Sequence, residues 1–81
     1  MKQILYFTST WCQPCKQLSP LMELLSSRVN YRKVDVDQNQ DLSRKYGVRN
    51  IPTLILLENG VEKGRKIGYQ NQEQILEFYN G

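Results

Sequence analysis

Residues 4–16 read Ile4-Leu5-Tyr6-Phe7-Thr8-Ser9-Thr10-Trp11-Cys12-Gln13-Pro14-Cys15-Lys16. Ile4 to Phe7 is a short apolar run, the mark of a buried strand. Thr8, Ser9 and Thr10 supply hydroxyls able to cap a helix. A helix is then predicted from about Trp11 to Arg28. Trp11, Cys15, Leu18, Met22 and Leu25 recur at steps of three and four and so share one of its faces. Pro14 falls in the first turn, where a missing N–H costs little. Pro20 falls inside, where it removes the bond to Lys16 and is expected to kink the helix. The stretch is therefore a strand, a short connection and a helix, with both cysteines at the junction.

The rest of the chain extends that unit. Asn30 and Tyr31 open a second strand running to about Asp37. Val34 and Val36 face one side of it, and Tyr31, Lys33 and Asp35 the other. Asn39 is placed to cap a short helix through Tyr46, with Leu42 and Tyr46 on one face. Lys45 suits the negative end of that helix and Gly47 suits its stop. Leu54 to Leu57 is an apolar third strand, preceded by Ile51-Pro52-Thr53. Asn59-Gly60 is a strong hairpin signal. Val61 to Ile67 then forms a fourth strand, in which Gly64 points to a bulge. Asn71 and Gln74 form a capping box ahead of Ile75, Leu76, Phe78 and Tyr79. The predicted class is α/β, in the order β-α-β-α-β-β-α, as a single domain over residues 1–81. The first two strands should run parallel through a right-handed crossover.

Composition narrows the function classes. Eleven Lys and Arg stand against eight Asp and Glu, for a net charge of +3. The basic residues are scattered in pairs at most, Arg32-Lys33, Arg44-Lys45 and Arg65-Lys66, which reads as a solvated surface and not as a nucleic-acid footprint. Met1-Lys2-Gln3 and the short run after it do not resemble a signal peptide. No stretch approaches the ~20 apolar residues of a membrane span. The expectation is a cytoplasmic monomer that contacts neither nucleic acid nor membrane.

Cys12 and Cys15 are the only cysteines, and the chain has no histidine. Side chains three apart on a helix have Cβ atoms ~5–6 Å apart, within reach of a disulfide. Such a bridge closes so short a loop that it constrains the unfolded chain little. In a cytosolic chain a CxxC is catalytic or metal-binding more often than structural. Cys12 falls near the helix N-terminus, where unpaired N–H groups and the dipole favour its thiolate, the attacking species. Cys15 lies one turn in and should be less exposed. Cys12 is thus the expected nucleophile, forming a mixed disulfide with a substrate, and Cys15 the resolving thiol. Two other readings stand beside this one. Zinc needs about four Cys or His ligands, and so two chains here. A purely structural bridge is the third.

Trp11-Cys12-Gln13-Pro14-Cys15-Lys16 at the start of a helix resembles the thioredoxin family. So do Lys33-Val34-Asp35-Val36-Asp37-Gln38-Asn39, the run Lys45 to Thr53, the hairpin Glu58-Asn59-Gly60 and the later Gly68. The resemblance covers essentially the whole chain. It implies a thioredoxin-like fold, a four-stranded mixed sheet with three helices, and protein disulfide reduction. It implies that Pro52 is the family's cis-proline, and that the backbone of Ile51 pairs with an extended substrate. Trp11, Ile51, Pro52 and Gly68 would line the groove, with Gln13 and Pro14 between the cysteines tuning the potential. Lys33 matches a lysine near the cysteines, and Pro20 the family's helix kink. No bound cofactor is implied: the dithiol is the redox group. Reducing equivalents would come from NADPH through a thioredoxin reductase.

The chain departs from the family pattern in two places. It looks like a minimal version, without the family's first strand and helix. At Tyr6 the family carries a buried aspartate that assists proton transfer at the resolving thiol. A phenol keeps its proton at neutral pH. It could hold a water, leaving proton transfer to solvent or to Asp35 through water. The potential is expected near the ~−270 mV of thioredoxin and below ~−200 mV, because Trp11 and Pro14 are thioredoxin-like. Two alternatives remain. One is a glutaredoxin-like protein recharged by glutathione; Tyr6 and small size favour it, while Gly68-Tyr69-Gln70 lacks paired glycines. The other is a redox-inert module that binds partners through the same fold.

Overall fold

The computed structural model describes residues 1–81. Its elements are β1 (Lys2–Thr8), α1 (Gln13–Leu24), β2 (Tyr31–Asp35), α2 (Gln40–Lys45), β3 (Thr53–Glu58), β4 (Val61–Ile67) and α3 (Gln72–Asn80). The order is the one expected from the sequence. Four strands form one sheet in the spatial order β2-β1-β3-β4. β1 pairs parallel with β2, Tyr6 standing beside Lys33 and Thr8 beside Asp35. β1 pairs antiparallel with β3, and β3 with β4.

The unbroken apolar runs of β1 and β3 follow from cover on both faces of the sheet. Ile4 and Tyr6 of β1 join Leu54 and Leu56 of β3 on one face. There they meet Leu18 and Met22 of α1, Leu25 and Val29 beyond it, and Ile75 of α3. Leu5, Phe7, Ile55 and Leu57 turn to the opposite face with Val34 of β2. Leu42 and Tyr46, with Val48 and Ile51, cover that side. Met22 and Leu18 are wholly enclosed. Truncating such a side chain costs ~2–5 kcal/mol.

The turns carry the chemistry their residues predict. Asn59 and Gly60 both take positive φ, 53° and 83°, as a two-residue hairpin requires. The bulge lies beside Gly64: Leu56 pairs with Gly64 but Leu57 with Glu62, so Lys63 is the extra residue. A Cβ on Gly64 would meet the Phe78 ring at 3.4 Å, an ordinary packing contact. Asn71 and Gln74 close both bonds of the predicted capping box.

Local departures have local causes. α1 begins at Gln13, because Cys12 is extended (φ −91°, ψ 116°) and is itself the N-cap. The hydroxyls of Thr8, Ser9 and Thr10 do not cap it. Trp11 therefore precedes the helix and is 65% exposed, off the face shared by Cys15, Leu18 and Met22. The helix ends at Leu24, and residues 25–28 continue as turns that bring Arg28 and Val29 N–H to the Leu25 carbonyl. β2 covers Tyr31–Asp35, shorter than Asn30 to Asp37. Asn39 occupies the N-cap of α2 without a side-chain cap bond, since its Nδ2 donates to Asp35 O at 2.9 Å instead.

Candidate active site

β1 delivers the chain to the end of the sheet, and the loop through Thr8 to Trp11 turns it into α1. Cys12 and Cys15 are joined there by a disulfide, with Cα atoms 5.2 Å apart. Cys12 is 5% exposed and Cys15 1%, the order expected from their places in the helix. The Cys15 N–H donates to Cys12 Sγ at 3.3 Å. This is the helix N-terminus acting on sulfur: an otherwise unpaired amide and the positive dipole end both favour negative charge there. Gln13 and Pro14 form the exposed first turn between the cysteines. Pro14 lacks the N–H that this position leaves unpaired in any case.

A second loop comes up against Cys12. Cys12 Sγ lies 3.7 Å from the Ile51 carbonyl oxygen. The Ile51–Pro52 peptide is cis, as the resemblance implied. Thr53 Oγ1 donates to Asn50 O at 2.5 Å and anchors the loop. Gly68 donates its N–H to Pro52 O at 2.8 Å, with φ at 93°. Ile51, Pro52 and Gly68 are thus brought together beside the disulfide. Trp11 stands at the same end, its indole N–H donating to Asp37 Oδ2 at 2.9 Å.

Asp37 belongs to the family-like run Lys33 to Asn39, but nothing in the sequence pairs it with Trp11. It lies two residues past β2, in the alternation Val34-Asp35-Val36-Asp37.

Tyr6 is wholly buried behind Cys15. Its hydroxyl donates to Cys15 O at 3.0 Å and lies 2.8 Å from Ser19 Oγ. Both contacts tie it directly to α1. Lys33 lines a polar cleft together with Cys15, Asp35, Ser9 and Ser19.

Burial, then the charge of Glu23, then Tyr6 push the Tyr31 phenol up. Far from the cysteines, the hydrogen-bonded Arg65 guanidinium holds the Glu62 carboxyl below the usual carboxylate range. No set of three His, Cys, Asp or Glu side chains converges in the structure.

The comparisons with known proteins agree with this geometry. The family model described as Thioredoxin matches residues 1–80. The chain is 37% identical over 78 residues to a thioredoxin of Rickettsia bellii, covering 91% of this chain and 74% of that one. It is 37% identical to a thioredoxin of Bacillus subtilis, covering 91% and 75%. Among solved structures, a mutant thioredoxin from Halobacterium salinarum superposes with a TM-score of 0.92 at 33% identity, covering 98% of this chain and 72% of that one. Fasciola hepatica thioredoxin gives 0.90 at 33%, covering 98% and 78%. A paired CxxC at a helix N-terminus, facing a cis-proline loop on this sheet, and relatives of this similarity lead to one assignment: the chain belongs to the thioredoxin family, dithiol–disulfide oxidoreductases whose redox group is the disulfide itself.

Proposed function

We propose that this protein works mainly as a protein-disulfide reductase, with Cys12 as nucleophile and Cys15 as resolving thiol. The observation that carries the assignment is the Cys15 N–H aimed at Cys12 Sγ. In the reduced protein that amide favours a thiolate at Cys12. Cys15 is the more enclosed sulfur, so an incoming disulfide meets Cys12 first. The Cys12 thiolate attacks one sulfur of the substrate disulfide and the other leaves as a thiolate. Cys15 then attacks Cys12 Sγ and releases the remaining substrate thiol. The product is the Cys12–Cys15 disulfide.

Trp11, Ile51, Pro52 and Gly68 receive the substrate. The Ile51 backbone pairs with an extended chain, Gly68 shapes the loop beside it through its bond to Pro52 O, and the exposed Trp11 face offers apolar area. Gln13 and Pro14 form the exposed turn between the two cysteines and tune their redox potential. Lys33 acts from the cleft it shares with Cys15. The domain, residues 1–81, acts as a cytoplasmic monomer recharged by a thioredoxin reductase drawing on NADPH. No helix is long and apolar enough to cross a membrane.

The test is NADPH consumption during insulin disulfide reduction, run with thioredoxin reductase and, separately, with glutathione and glutathione reductase. Turnover with thioredoxin reductase, abolished in Cys12→Ser, supports the reading. Turnover with glutathione alone would make the protein glutaredoxin-like in its reductant. Silence in both, equal to the Cys12→Ser blank, would leave a binding role for the fold.

A further inference from the structure

Behind the resolving sulfur lies a polar cleft. Thr8, Ser9, Ser19, Lys33 and Asp35 line it together with Cys15. Ser9 Oγ is buried there and bonds no other protein group. Buried hydroxyls are seldom left unpaired, and a polar cleft of this kind satisfies them with water. Cys15 lines the same cleft, so a water there would stand beside the resolving residue.

Cys15 must lose a proton when it attacks Cys12. Tyr6 of β1 cannot take it. Its hydroxyl is committed to Cys15 O and Ser19 Oγ, and a phenol is no base at neutral pH. Asp35 stands beside Thr8 in the register of β1 and β2, on the Tyr6 face of the sheet. Its Oδ1 accepts from the Asp37 N–H at 2.9 Å, which fixes the carboxylate and leaves Oδ2 for solvent. The other charged groups lining the cleft are Lys33 on β2 and Lys16 and Glu23 on α1; the end of β1 contributes only hydroxyls.

We propose that Asp35 accepts, through a water in this cleft, the proton Cys15 gives up as it resolves the mixed disulfide. The proposal rests on the dithiol mechanism above. The Cys15 S–H proton passes to water, and a proton of that water passes to the Asp35 carboxylate. Cys15 Sγ bonds to Cys12 Sγ, and the bond from Cys12 Sγ to the substrate sulfur breaks. The substrate sulfur is reduced, leaves with the electron pair and is protonated from solvent; the cysteine pair is oxidised. Asp35 then returns its proton to solvent. Asp35 touches neither sulfur and acts through the water.

The experiment mixes reduced protein with a chromogenic aromatic disulfide in stopped flow. The first coloured thiolate reports attack by Cys12 and the second reports resolution by Cys15. In Asp35→Asn the first release should keep its wild-type rate. The second should slow roughly tenfold or more at neutral pH, less than the ~10²–10⁴ of a directly bonded base because a water intervenes. Its rise with pH should move toward the ~8.5 of an ordinary thiol. Asp35→Glu should restore much of the rate, and Glu23→Gln should leave both releases unchanged. A second release in Asp35→Asn with wild-type rate and pH profile would overturn the proposal. So would an equal loss in Glu23→Gln. Absence of both releases from the wild-type protein would instead overturn the dithiol reading, and this proposal with it.

Discussion

The Tyr6 hydroxyl donates to the Cys15 carbonyl oxygen at 3.0 Å, tying the centre of β1 to the first turn of α1. That donation spends the only phenolic hydrogen, so Ser19 Oγ is the donor in the 2.8 Å contact that completes the set. The position where thioredoxins carry a buried carboxylate is here a neutral structural brace.

A brace and a base fail differently. Tyr6→Phe keeps the ring and loses both hydrogen bonds. It should cost ~1–2 kcal/mol of stability in urea denaturation of the oxidised protein, the worth of a buried bond and of a partner left unpaired. Insulin reduction by the folded variant should persist. Lost turnover with unchanged stability would contradict the assignment.

Trp11 is exposed yet fixed by Asp37. Asp37→Ala should free the indole and raise KM for a protein disulfide about fivefold, the equivalent of ~1 kcal/mol for one hydrogen bond. Turnover of a small aromatic disulfide, which needs no groove, should be unchanged. Trp11 is the only tryptophan, so its fluorescence reads this site alone. An unshifted emission in Asp37→Ala would show that the hydrogen bond does not hold the ring in solution.

Glu62 and Arg65 form a two-pronged pair on β4, at 2.7 Å and 2.9 Å, and Arg65 also donates to Tyr46 O at 2.8 Å. The Glu62 carboxyl is depressed by its hydrogen bonds to Arg65. A group whose folded pKa is lowered adds stability above its unfolded pKa and loses it as pH falls through the folded one. Glu62→Gln should therefore cost under ~1 kcal/mol at neutral pH, the pair being partly solvated, and close to nothing well below pH ~4. Urea midpoints of both proteins across that range test the sign. A deficit that grows on acidification would contradict it.

Much of this architecture is written in short-range patterns. The apolar run Ile4 to Phe7, the Asn59-Gly60 turn and the Asn71/Gln74 box each specify their element through neighbours a few residues apart. The cysteine pair is local in the same sense, and the sequence placed both sulfurs at the start of α1. Competition between neighbouring partners, and contacts between distant segments, are less legible. Asn39 has cap chemistry, but its amide found the Asp35 carbonyl. Thr8 to Thr10 offered caps, but the extended backbone at Cys12 made the sulfur itself the acceptor. Trp11 fits a helical stripe by spacing, yet its partner Asp37 lies 26 residues away across the site. Periodicity carries no information about such a pair. Arg65 reaching Tyr46 O across 19 residues is another of this kind.

The central claim is that Cys12 attacks and Cys15 resolves. The most direct measurement is mass spectrometry of the single-serine variants after reaction with a peptide disulfide. Cys15→Ser should accumulate a peptide adduct mapped to Cys12, because attack proceeds and resolution cannot. Cys12→Ser should accumulate little, since its remaining sulfur is enclosed and lacks the amide that favours a thiolate. A stable adduct on Cys15 formed as fast as that on Cys12 would contradict the account.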